Sequence, residues 1–222
     1  MKFNYKTLLS SLVLLALSHA TLSLTDPYPK NPKVDAINYR FELELSDNTD
    51  EIKGKAVIDI RFVKAGVTEL RFDLIKKSQA LEGKGMTVVG ISSNGKSLLF
   101  RHENDAIVIT LPGASQANQR ETYEVTYSGI PATGLKIAPN KHGDRTFFSD
   151  NWPNKGRNWL PTIDHPYDKA MCEFVVTAPS QVGGIAINAI ITPPDGSTDT
   201  NNSNNQSLIS IDVIDMDIDF SI

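Results

Sequence analysis

Phe147–Pro179 reads FFSDNWPNKGRNWLPTIDHPYDKAMCEFVVTAP. Trp152-Pro153 and Leu160-Pro161 each hold the residue before proline in an extended conformation, so no helix is expected across the segment. Trp159 and Leu160 supply large apolar area. Asp164-His165-Pro166 reads as a turn in which the Asp164 side chain bonds the backbone that follows it. From Lys169 to Thr177 the pattern alternates, with Cys172, Phe174 and Val176 on one face and Met171, Glu173 and Val175 on the other, which predicts a strand. A rigid, proline-ruled loop that feeds a strand suits a β-domain pinned by one surface against something else.

Upstream, the same two-residue period recurs. Ile37, Tyr39, Phe41, Leu43 and Leu45 alternate with polar residues, and Ala56, Ile58, Ile60 and Phe62 repeat the pattern after the polar turn Ser46–Lys53. These predict an antiparallel pair, with a further strand over Leu70–Leu74. Asn94-Gly95 supplies the positive φ angles of a tight hairpin between Val88–Ile91 and Leu98–Arg101. A second turn at Glu103-Asn104-Asp105 leads to Ile107, Ile109 and Leu111, and Tyr123, Val125 and Tyr127 form the next strand. Many short strands without a 3.6-residue period predict an all-β, sandwich-like domain. Thr25–Lys33, with Pro27, Pro29 and Pro32, reads as an extended entry segment.

The ends differ from this body. Lys2 and Lys6, the apolar run Leu8–Leu17 and the small-residue site Ser18-His19-Ala20 make residues 1–20 a secretory signal peptide, with an uncleaved anchor as the alternative. The expected destination is secreted or periplasmic. After Pro179, residues 180–222 read as a divergent tail: an Asn/Ser/Asp-rich linker over Pro193–Ser207, then Leu208–Ile222, where Asp215, Asp217 and Asp219 alternate with apolar residues as in an edge strand. The chain carries 222 residues and a net charge of −4, enough for one domain with extensions. No basic face is concentrated enough for nucleic acid. A single cysteine, Cys172, excludes an intrachain disulfide, and its strand position predicts a buried structural thiol.

Arg157-Asn158-Trp159-Leu160-Pro161-Thr162-Ile163-Asp164-His165-Pro166, followed by Asp168-Lys169-Ala170 and a strand ending at Ala178-Pro179, resembles the N-terminal β-domain of the aminopeptidase N family of zinc metallopeptidases. The resemblance covers residues 26–179 and implies a saddle-like antiparallel domain in which Arg157, Trp159, Pro161, Asp164, Pro166 and Lys169 are structural. It also implies a full-length enzyme that removes N-terminal residues from peptides. In such relatives the β-domain lends a Gln or Glu, five residues before the motif arginine, to grip the substrate's α-amine. That position here is Trp152, which cannot serve; the adjacent Asp150 and Asn151 are the substrate-binding candidates, with a plain turn as the alternative.

The zinc chemistry of that family needs two histidines one helical turn apart, a neighbouring general-base glutamate and a more distant glutamate ligand. The four histidines are His19, His102, His142 and His165. The His102-Glu103 pair is followed, four residues after His102, by Ala106, so this chain holds no such metal site and no catalytic residue of this kind. Zinc is expected in the full-length family and the chain alone is expected to be inactive, as a fragment or truncated product whose catalytic domain is missing. A reading from another class is a free-standing secreted β-sandwich that binds a protein or peptide through the aromatic loop 147–159, with Trp152 and Trp159 as exposed anchors.

Overall fold

The computed structural model describes residues 26–178. Pro179 and the segments expected to form a signal peptide, a linker and an Asp-rich edge strand all fall outside those residues. The chain divides into two compact units, Met1–Lys30 and Asn31–Ile222. In the described piece of the first, the Asp26 carboxylate accepts from the Tyr28 N–H and pairs with the Lys30 ammonium.

The described part of the second unit holds eleven strands: β1 (Val34–Glu44), β2 (Ile52–Phe62), β3 (Glu69–Asp73), β4 (Gly85–Ser93), β5 (Lys96–Ser97), β6 (Phe100–Glu103), β7 (Ala106–Thr110), β8 (Gln119–Ile130), β9 (Leu135–Pro139), β10 (Arg145–Ser149) and β11 (Met171–Thr177). They form a six-stranded sheet in the order β11-β1-β2-β8-β4-β5, a three-stranded sheet β3-β7-β6, and the β9–β10 hairpin. The all-β expectation holds.

Each long strand buries alternate residues. Ile58, Ile60 and Phe62 of β2, Tyr123, Val125 and Tyr127 of β8, and Leu70, Phe72, Ile107 and Ile109 of the smaller sheet are all buried. Each large aliphatic or aromatic side chain removed from water contributes about 1.5–3 kcal/mol, so the two inner faces dominate stability. Gly54 faces Tyr127 across the β2–β8 ladder, and a Cβ at that position would stand 2.3 Å from the tyrosine ring. Glycine there makes room for the ring of a fully buried tyrosine.

Three strand expectations change in detail. A bulge between Ala36 and Asn38 shifts the phase of β1, so Ala36 and Tyr39 point inward and Ile37 does not. The Asn94-Gly95 turn has φ values of 50° and 73°, as its sequence demands. The segment after it, however, divides between the sheets: Lys96–Ser97 pairs with β4, whereas Phe100–Glu103 pairs with β7. Finally, β11 runs parallel to β1, with Phe41 opposite Phe174. The six-stranded sheet is therefore mixed, not antiparallel throughout.

The parallel pairing also corrects the reading of Cys172. It lies on the predicted face, but β11 is the outer strand of the sheet among the described residues, and Cys172 is exposed instead of buried.

Candidate functional site

The loop between β10 and β11 has a buried base and an exposed rim. At the base, Asp73 at the end of β3 is fully buried. Its backbone pairs with Thr162, the N–H donating to the Thr162 carbonyl at 2.7 Å, and the Ile75 N–H donates to the Arg157 carbonyl at 2.7 Å. The loop is thus stitched onto the three-stranded sheet through its main chain. The Asp73 carboxylate accepts from the Asp164 N–H at 3.1 Å, pairs with Arg71, and lies 3.7 Å from the Arg157 guanidinium.

Arg157 closes the arrangement. Its Nε donates to Asp164 Oδ2 at 3.0 Å and its Nη2 to the Asp164 carbonyl at 2.8 Å. Its backbone N–H also donates to Asp164 Oδ2, at 3.1 Å. The Asp164 side chain therefore caps backbone that precedes it, not the backbone that follows as its turn motif suggests. The short 3-10 turn Gly156–Asn158 brings the Arg157 N–H to it. In the 165–168 turn His165 Nδ1 instead accepts from the Tyr167 N–H.

The other motif residues continue the base toward the large sheet. Trp159 is 4% exposed and stacks on Phe174, with ring centroids 6.1 Å apart. Leu160 and Pro161 are buried, and the Ile163 N–H donates to the Tyr39 hydroxyl at 3.1 Å. Asp168 accepts from the Ala36 N–H next to the β1 bulge. Pro166 and Lys169 are exposed.

The rim is built differently. Arg145 of β10 donates to the carbonyls of Ser46 and Thr49 and pairs with Asp50, strapping the hairpin to the β1–β2 turn. Beyond β10 the Asp150 N–H donates to the Gly134 carbonyl at 2.8 Å. The Asp150 carboxylate takes the Lys155 ammonium at 2.5 Å and the Trp152 N–H at 3.2 Å. Those two donors, the ammonium first, hold the Asp150 carboxyl below its ordinary range. Asn151 is exposed overall, but its Oδ1 accepts from the Trp159 indole at 2.9 Å, so its amide oxygen serves the base. Phe148 and Trp152 are 65% and 67% exposed.

Asp150 and Lys155 line a cleft of about 330 Å³ whose floor is the 130–137 segment. Gly134, at φ 82°, is required in that floor: a Cβ there would meet the Lys155 carbonyl oxygen at 2.5 Å.

The structure thus joins the buried Trp159 and Pro161 with the half-buried Arg157 and Asp164 in one unit and leaves Asp150 on the surface. It splits the two tryptophans that sequence reading treated alike. Asp73, Arg71 and Arg145 lie outside the motif and escaped notice. One available signal was an aspartate continuing the Leu70, Phe72 strand into Leu74, where an ion needs a buried partner.

The histidines stand apart from one another in role. His102 of β6 directs Nε2 at the Leu74 carbonyl, 2.8 Å away, and burial pushes its pKa down. His142 is exposed, and His19 lies outside the described residues. Among the described residues no group of three His, Cys, Asp or Glu side chains could hold a metal ion. The donor set for zinc does not fit here. No helix among them is long and apolar enough to cross a membrane.

A family model described as the Peptidase M1 N-terminal domain matches residues 35–208. An M1 zinc metallopeptidase from Deinococcus radiodurans is similar, with a TM-score of 0.54 at 21% identity over 68% of this chain and 33% of that one. A variant from the same organism, bound to a Tyr-Ser-Ala substrate, gives 0.54 at 22% identity over 67% and 33%. Yeast LTA4 hydrolase in complex with Bestatin gives 0.55 at 18% identity over 66% and 23%. At these identities the likeness is one of fold. The chain spans about a third or less of the length of these solved structures. No curated protein matches the sequence.

Proposed function

The chain belongs to the family of peptidase M1 N-terminal domains, and from that membership we propose that it is the non-catalytic β-domain of an exported zinc aminopeptidase. In this reading the signal of residues 1–20 directs export, and residues 26–179 form the domain. The rim of the 149–160 loop shapes one side of the cleft in which a peptide's N-terminus is held. The zinc and its ligands belong to a catalytic domain, because the described residues offer no site for the metal. The chain by itself is inactive.

The observation that carries this reading is the division of the loop. A surface made to meet another domain needs a fixed backbone and unsatisfied contact area, and both occur between Phe148 and Asp164. Arg157 and Asp164 lock the base, while Phe148 and Trp152 stay bare at the rim. Preformed geometry lowers the ordering cost of docking. Asp150 is the polar group of the rim suited to a ligand ammonium, because an ammonium already sits on it.

The test joins this chain to an M1 catalytic domain. The chain alone should release no product from an N-terminal aminoacyl chromogenic substrate, with or without added zinc. The fused enzyme should do so, and Asp150→Ala should raise its KM for peptides with a free amine. An unchanged KM and kcat in the variant would remove Asp150 from the cleft.

A second reading has one observation in its favour: the exposure of Phe148 and Trp152, which suits a free-standing module that binds a protein or peptide. Trp159, buried on Phe174, takes no part in that surface.

A further inference from the structure

The cleft beside Asp150 carries more ammonium than carboxylate. Lys84, Lys136 and Lys155 line it together with Asp50 and Asp150. Asp50 is engaged by Arg145 from outside the lining, and Asp150 by Lys155. Lys84 and Lys136 make no ion pair among the described residues. In a chain of net charge −4 this is a local reversal of sign, and a cleft concentrates the field of the charges that line it.

Asp150 Oδ2 holds the Lys155 ammonium and Oδ1 the Trp152 N–H, so an incoming ammonium at Asp150 competes with Lys155. With a neutral N-terminal residue the exchange gains nothing: one cation replaces another, and Lys155 is left beside two further lysines. A basic residue adds a fourth ammonium. An acidic residue brings its own carboxylate and returns a partner to Lys155. We infer that the cleft trades its internal Asp150–Lys155 pair for a ligand bearing both charges, so that peptides with an N-terminal Asp or Glu are its preferred occupants. This rests on the proposed reading that Asp150 receives the peptide amine. Lys155 is then the specificity-determining residue, and Lys84 and Lys136 reinforce it.

The probes are the amidated dipeptides Glu-Ala, Ala-Ala and Lys-Ala, in which the glutamate side chain is the only carboxylate. Binding to the full 222-residue chain is followed by NMR at the Trp152 indole and the Gly134 amide. Affinity should fall in the order Glu-Ala, Ala-Ala, Lys-Ala. The first step should be about fivefold, the upper end for one exposed ion pair, and should shrink as salt is added. Lys155→Met should raise Ala-Ala affinity until it lies within about twofold of Glu-Ala. Asp150→Asn should remove binding of all three.

Equal binding of Glu-Ala and Ala-Ala, or a preference that survives Lys155→Met, overturns the inference; if Asp150→Asn still abolishes binding, the amine-anchor reading stands without it. Binding unaffected by Asp150→Asn, or no binding of any dipeptide, overturns both. Both substitutions are at surface side chains, so a folded chain is expected in every case.

Discussion

The base and the rim of the 149–168 loop are built from the same residue types and end in opposite states. Each has a tryptophan, an aspartate and a cation. At the base, Trp159 is buried against Phe174, and the buried Asp73 carboxylate meets the partly exposed Arg71 and Arg157. At the rim Trp152 stands in solvent, and Asp150 holds Lys155 where water competes for both. Composition is therefore no guide to role here. What separates the two is how far neighbouring segments cover them: β3 and β11 reach the base, whereas the rim meets the Gly134 carbonyl through the Asp150 N–H and leaves Trp152 in solvent.

The sharpest way to break this contrast is Asp73→Ala. It leaves two guanidinium groups without their buried counter-charge and should cost about 3 kcal/mol in urea unfolding. Asp150→Ala should leave the unfolding midpoint where it is. Equal effects would mean that the base is no better anchored than the rim.

Gly134→Ala comes next. It forces a side chain into a left-handed position and toward the Lys155 carbonyl, at a cost of about 2 kcal/mol by thermal unfolding. Smaller still is Trp152→Phe, which should change stability by less than about 0.5 kcal/mol while removing the emission that acrylamide quenches. The remaining Trp159 signal should be protected. A strongly quenched Trp159 would undo the assignment of base and rim.

The mildest effect is one of pH. His102 donates to the Leu74 carbonyl, directly after Asp73, and its pKa lies below the ordinary value of about 6.5 because burial disfavours the charged ring. Below about pH 6.5 the unfolded chain binds the extra proton more readily than the folded one. Stability should then fall as pH drops through the window between the two values, and be fully present above it. His102→Gln should flatten that slope in melting curves from pH 5 to 8. The Asp150 carboxyl is depressed too, by Lys155 and the Trp152 N–H, so any effect of its ionisation is lost in the same direction, as pH falls through a lower window. Acid should loosen the base before the rim.

Much of this was readable in advance for a physical reason. Strand alternation and the Asn94-Gly95 turn are local signals, set by side-chain period and backbone sterics, and they marked most of β1, β2, β3, β7 and β11 and the middle of β4 and β8, but not the β9–β10 hairpin. The resemblance carried by Arg157–Pro166 agrees with the family model that matches residues 35–208. What stayed hidden depends on distant partners. The bulge that turns Ile37 outward, the parallel pairing that leaves Cys172 at an edge, and the burial of Asp73 each arise from a segment far away in sequence. The Asp150–Lys155 contact spans five residues, yet it too was missed, because it follows from the course of a non-helical loop for which no period exists.

The register that sets Asn38 against Met171 has a consequence during synthesis. A strand made early waits for a partner made more than a hundred residues later, and pairing across so long a contour is slow. While the ribosome is still translating the motif loop, the outer side of β1 has no neighbour, and its amide and carbonyl groups are open to any extended chain nearby. Emergence of β11 closes that side, and in the same step lays Phe174 against Trp159. The first strand of the sheet thus gains its second partner at the moment the loop acquires a fixed shape.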